Sequence, residues 1–173
     1  MINVGLVGSG YWGKNLVRNF NELGALHTIC DNNSETLRCF KEKYPDKEFQ
    51  TSFYAVLQNP DISAVVIATP AETHFELAKK ALLARKHVFV EKPLSLIVSE
   101  AEELKQLAVQ HNLKLMVGHI LLFHPAIIKL KKIINAGELG KINYIYSNRL
   151  NLGKFRTEEN ILWSFAPHDI SVI

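Results

Sequence analysis

The residues best placed for chemistry are Glu91, Lys92 and Pro93, which follow the strand-like run HVFV. Proline restricts the residue before it to extended backbone, so Lys92 has little freedom. An ammonium held this way can hydrogen-bond a hydroxyl, stabilise a developing alkoxide or share a proton if its pKa is lowered. The plain alternative is a loop lysine paired with Glu91. A second candidate, His168, stands far along the chain in LWSFAPHDIS. With Pro167 in a first helical turn, His168 would sit at a helix N-terminus, whose positive end disfavours the imidazolium and keeps the ring ready to accept a proton. Asp169 then suits the helix dipole better than catalysis.

Gly8, Gly10 and Gly13 fall in G-x-G-x-x-G spacing between a strand pattern and a helix pattern. Glycines there let the backbone turn sharply, approach a pyrophosphate and pack helix against strand, while the anion rests on free N–H groups at the helix start. Asp31 ends the next strand, 18 residues beyond Gly13. A carboxylate there can bind both hydroxyls of an adenosine ribose and repels a 2′-phosphate, so NAD is expected rather than NADP. Its competing role is to cap the helix near Ser34. Asn32 and Asn33 either add ribose or adenine contacts or form a turn. Tyr11 and Trp12 either cover the cofactor or pack on the neighbouring helix. Thr69 and Pro70 close another strand at the edge where ligands bind in open α/β sheets. His74, in the first turn of the following helix, either turns its ring to the nicotinamide end of the cleft or is a surface residue of the helix start.

These residues need a scaffold, and the sequence patterning supplies one. Short runs rich in Val, Ile and Leu (INVGLVG, LHTICD, AVVIAT, HVFVE, KLMVG) alternate with segments of helical period at Gly13–Leu23, Glu35–Tyr44, His74–Ala84 and Ser95–His111. This order predicts an α/β, Rossmann-type doubly wound parallel sheet, its strands buried on both faces. EFQTSF reads as one further strand. The NAD-binding domain is expected over 1–118 and the beginning of an α+β C-terminal domain over 119–173. In the latter a helix runs from Pro125 to Gly137, and KINYIYSNRLNL alternates with period two, as a half-exposed strand does.

Hydrophobic residues make up 47% of the 173-residue chain and charged residues 21%, with a net charge of +3. Cationic side chains are scattered over the helical segments, so neither a nucleic-acid nor a membrane surface is expected. No apolar stretch approaches the roughly 18 residues that span a bilayer, and the reading is of a cytoplasmic protein. Cys30 and Cys39 have no His or Cys partners at ligand spacing, so they are expected to be small buried residues, with no metal site.

Taken together, the glycine loop, the Asp31 strand end, TPAETH, VEKPLS, LGKINYI and the W-x-x-x-P-H segment resemble the Gfo/Idh/MocA oxidoreductases. NRLNLG and LWSFAPHDIS are most similar to members that oxidise nucleotide-linked sugars, of the UDP-N-acetylglucosaminuronate 3-dehydrogenase type. The resemblance implies that Lys92 is the active-site lysine of the EKP motif and His168 the catalytic histidine near the nicotinamide. It also implies a homo-oligomer of about twice this length, whose reading frame continues beyond Ile173. Many relatives carry an aspartate four residues before the histidine; here that residue is Ser164, which can orient the ring without supplying charge. Trp163 is expected either as a pocket wall or as buried packing, and Arg149 either as a contact for an acidic sugar or phosphate or as a solvated strand residue. The implied reaction moves a hydride from a sugar hydroxyl carbon to NAD while a base takes the hydroxyl proton. The alternatives are a non-catalytic NAD-binding regulator or scaffold, and a Rossmann-fold methyltransferase.

Overall fold

The computed structural model describes residues 2–148 and 160–173. The chain divides into two compact units, Met1–Gly118 and His119–Ile173.

The first unit is built on strands β1 (Val4–Val7), β2 (Leu26–Cys30), β3 (Glu48–Gln50), β4 (Ala64–Ile67), β5 (His87–Val90) and β6 (Leu115–Val117). They form one parallel sheet in the order β3-β2-β1-β4-β5-β6. The connecting helices are α1 (Gly13–Glu22), α2 (Ser34–Lys43), α3 (Phe53–Gln58), α4 (His74–Leu83) and α5 (Val98–Gln110). The order reverses between β1 and β4, the point at which a doubly wound sheet opens a crevice beyond its carboxyl edge.

Successive strand residues face opposite sides of the sheet, and both sides are covered. Val65, Ile67, Val88 and Val90 pack with Val56, Ala78, Leu82 and Leu104 on one face. Leu6, Ile29 and Val66 pack with Leu16, Val17 and Leu37 on the other. Such two-sided burial explains why the strands read as continuous apolar runs. Lys86 is a buried cation that the patterning does not reveal; its ammonium donates to the carbonyls of Asn59 (2.8 Å) and Ile62 (2.6 Å). Burial lowers its pKa.

Several local expectations over the first unit change. EFQTSF is not one strand: β3 stops at Gln50, and Phe53 opens α3. Phe53, Val56 and Leu57 have helical spacing, and Val56 packs where a Gly5 Cβ would lie 2.5 Å from its Cγ1. Helix α5 starts at Val98 rather than Ser95, because the Ser95 hydroxyl accepts from the Ile97 N–H (3.0 Å) and bonds the Glu100 carboxylate, folding the segment into a turn first. Of the two cysteines, Cys30 is buried as expected, whereas Cys39 is exposed on α2. Burial, with the charge of Asp31 adding to it, pushes the Cys30 thiol up to about 11, which makes it a poor nucleophile.

The second unit holds α6 (Pro125–Asn135) and α7 (Ile161–Ile170). His124 caps α6, its Nδ1 accepting from the Ala126 N–H at 3.2 Å, and Gly137 leaves the helix at φ +74°. The strand expected from KINYIYSNRLNL is absent over its described part, 141–148, which has no regular structure. Period-two alternation makes a strand only where a partner supplies the ladder of hydrogen bonds, and none pairs with this segment among the described residues. No helix of the described residues is long and apolar enough to cross a membrane.

Candidate active site

Parallel register places the ends of five strands in one row. Val7 is level with Cys30 and Ile67, Ile67 with Val90, and Val90 with Val117. Each next residue continues the ladder by one bond: Gly8 N–H donates to Cys30 (2.9 Å), Ala68 to Val7 (2.8 Å), Glu91 to Ile67 (2.9 Å) and Gly118 to Val90 (2.8 Å). Asp31, the glycine turn, Thr69 and the Glu91–Pro93 turn therefore share the carboxyl edge.

The three loop glycines meet three different constraints. Gly8 has φ +86°, and a Cβ on it would lie 2.8 Å from the Ala68 carbonyl. A Cβ on Gly13 would sit 1.9 Å from the Gly8 oxygen, so this glycine lets α1 close against the turn. Gly10 has nothing within 4 Å of its Cβ position. No packing among the described residues demands that glycine, which suits a backbone left bare for a ligand. Trp12, the N-cap of α1, makes no side-chain cap bond and the first turn carries no acid, which suits an anion at the helix N-terminus. These residues fit a dinucleotide.

Asp31 is anchored to the loop. Its Oδ2 accepts from the Ser9 N–H (2.8 Å) and hydroxyl (2.9 Å), and its Oδ1 from the Asn33 N–H (3.0 Å). The cap of α2 is Asn33, whose Oδ1 accepts from Glu35 and Thr36 N–H, so Asp31 is not spent on that helix. Buried Ser9, in a variable position of the motif, is a partner of Asp31 that spacing alone misses. Asn32 is exposed beside it. Tyr11 is 76% exposed, with the Lys14 ammonium 5.2 Å from its ring centroid, and does not pack into the core.

Trp12 turns toward the lysine motif, its Nε1 donating to Oε1 of Glu91 at 2.7 Å. Burial pushes the Glu91 carboxyl above the ordinary carboxylate range; the Trp12 bond, the Lys92 N–H and the charges of Lys92 and His74 pull the other way. Gly118 lies close beside it: a Cβ there would lie 3.0 Å from the Glu91 carboxylate. Lys92 follows, half-buried, joined to Pro93 by a cis peptide bond.

At the end of β4 the hydroxyls of Thr69 and Thr73 share a 2.7 Å hydrogen bond, and Pro70 is exposed. His74 corrects the sequence expectation. It is 1% exposed, with Nδ1 2.7 Å from the Pro93 carbonyl and Nε2 2.8 Å from the Thr69 carbonyl, so both ring nitrogens are engaged within the chain rather than turned to a cleft.

The expected place of His168 at a helix N-terminus is corrected as well. The Asn160 side chain accepts from the Trp163 N–H (3.1 Å) and starts α7 well before Pro167, which lies inside the helix. His168 falls in the last turn, where the dipole has the opposite sign, and the helix-end argument for a neutral ring does not hold. Asp169 likewise does not serve a helix N-terminus; it accepts from the Ser147 hydroxyl at 3.0 Å. Ser164 precedes His168 by one turn of this helix, and Trp163, Ser164 and His168 are all half-buried. Arg149 lies outside the described residues.

Residues 2–119 match the family model of Gfo/Idh/MocA oxidoreductases, described as an oxidoreductase family with an NAD-binding Rossmann fold. Among curated relatives, the chain is 30% identical to UDP-N-acetylglucosamine 3-dehydrogenase of Acidithiobacillus ferrooxidans over 99% of this chain and 53% of that protein. It is also 30% identical to 2,7-anhydro-N-acetylneuraminate hydratase of Mediterraneibacter gnavus, over 86% of this chain and 39% of that protein. Scyllo-inositol dehydrogenase of Lactobacillus casei, solved with NAD(H) and scyllo-inositol, superposes with a TM-score of 0.75 at 30% identity, covering 81% of this chain and 42% of that one. The chain spans about half the length, or less, of the curated relatives it matches. The glycine turn, the carboxyl-edge aspartate and the matched residues agree: this chain belongs to the Gfo/Idh/MocA family of NAD-binding oxidoreductases.

Proposed function

We propose that the protein oxidises a secondary hydroxyl of a sugar, of the nucleotide-linked class, with Lys92 and His168 acting on the same hydroxyl. The observation that carries this reading is the shared carboxyl edge, where the glycine turn after β1 and the half-buried Lys92 after β5 flank the end of β4 and are joined by the Trp12–Glu91 bond. NAD, when bound, supplies the hydride acceptor. Asp31 favours it over NADP by receiving ribose hydroxyls and repelling a 2′-phosphate. The Lys92 ammonium donates a hydrogen bond to the substrate hydroxyl oxygen and balances the charge that develops as the O–H bond breaks. The His168 ring takes that proton, with Ser164 orienting it and Trp163 walling the pocket. Carbon loses hydride, oxygen loses a proton, and a carbonyl remains. Arg149 would meet an acidic group on the substrate, and the assembled protein is a homo-oligomer.

Dehydrogenases named for UDP-N-acetylglucosamine and scyllo-inositol among the relatives favour a ring alcohol. A hydratase is also among them, so net oxidation is the step to test. The family assignment sets the methyltransferase alternative aside. Incubation with NAD and separate panels of UDP-sugars, free aldoses and inositols should give NADH with UDP-sugars. Accumulation with the other panels alone would move the substrate class. NAD binding without NADH from any panel would favour a hydratase or a non-catalytic NAD-binding regulator.

A further inference from the structure

The reaction above gives His74 no ligand, yet its side chain is almost wholly buried between two backbone carbonyls. Those carbonyls belong to different turns of the site. Thr69 closes β4, and Pro93 follows Lys92 beyond β5. Carbonyl oxygens only accept, so the 2.7 Å and 2.8 Å contacts are both hydrogen bonds only when each ring nitrogen carries a proton. A single-proton ring would set one bare nitrogen against an oxygen lone pair at that distance. The same turns are tied elsewhere: Glu91 donates its N–H to Ile67, and Thr69 bonds Thr73 one residue before His74. Pro93 is buried with the imidazole, so water cannot replace the donor.

We propose that His74 is a positioning residue that braces the Lys92-bearing turn to the end of β4, donating from Nδ1 to Pro93 and from Nε2 to Thr69. Its effect on turnover rests on the oxidoreductase reading above; the brace itself does not. The ring has two separable ends. An asparagine amide nitrogen overlies Nδ1 and a glutamine amide nitrogen overlies Nε2, so His74→Asn retains the bond to the lysine turn and His74→Gln retains the one to Thr69.

Two measurements test this. Ring-nitrogen NMR of the labelled protein at neutral pH, with the His74 signals assigned by their loss in His74→Gln, should show two N–H nitrogens. One bare nitrogen would overturn the brace whatever the protein catalyses. In turnover, His74→Gln should lower kcat between about tenfold and a hundredfold, the scale of a slight misplacement of a reacting group, with the KM for NAD little changed. His74→Asn frees the Thr69 end of the same brace and should lower kcat on the same scale. An unaffected kcat in either variant would contradict positioning through the brace. Absence of turnover in the unsubstituted protein would count against the oxidoreductase reading and leave the NMR result to decide the brace.

Discussion

Asp31 and Glu91 are both carboxylates at the carboxyl edge, and their surroundings set them different tasks. Asp31 is held by three donors and left half-exposed, as a receptor for hydroxyls should be. Replacing it by alanine removes charge-assisted hydrogen bonds, so NAD should bind about tenfold to a hundredfold more weakly by calorimetry, with a smaller loss for NADP. Equal losses for the two nucleotides would contradict the ribose assignment. Glu91 is buried, and its folded pKa is raised above the ordinary value of 4.5. From 4.5 up to the raised value the native state holds more protons than the unfolded one, so this group makes stability fall as pH rises. Glu91→Gln keeps an acceptor for the Trp12 indole and should flatten that slope in urea denaturation across the window. An unchanged slope would mean that another group carries it.

Elements set these residues in place, and the glycine turn between β1 and α1 separates folding from binding. Gly10→Ala meets open space and should change stability by about 0.5 kcal/mol or less while abolishing tight NAD binding. Gly13→Ala places a methyl against the Gly8 carbonyl and should cost about 1–3 kcal/mol. Denaturation and binding measured on both variants check the contrast; a destabilised Gly10→Ala would show that the turn needs this glycine for itself. Much of this layer was legible in the sequence. Apolar runs buried on two faces, the G-x-G-x-x-G spacing and the Asp31 strand end are local patterns, and they survive as β1, α1 and β2. The misses required tertiary information. His74 looks like any helix-starting histidine until β5 brings the Pro93 carbonyl beside it, and Ser9 acquires its role only when Asp31 lies across from it. Pro167 suggested a helix start, but Asn160 is the stronger cap, so the helix runs through the proline and carries His168 to its other end.

At the scale of the whole molecule, the first unit carries the complete six-stranded sheet and the dinucleotide turn, while His168 belongs to the second. Because the folded unit binds NAD and the unfolded chain does not, NAD at a hundred times its Kd should add about 2.7 kcal/mol of stability. That corresponds to a rise in Tm of roughly 5–10 °C for a chain of this size, which NADP at the same concentration should not match. A rise with NADP alone would contradict the reading of Asp31. Lys92 is proposed to act on the substrate hydroxyl rather than on the nucleotide. The most direct test of that role compares the unsubstituted protein with Lys92→Ala at saturating NAD, following NADH formation from UDP-sugars and NAD affinity in parallel. The expected result is a fall in turnover of about a hundredfold or more with NAD affinity nearly unchanged; equal turnover in the two proteins would contradict the assignment.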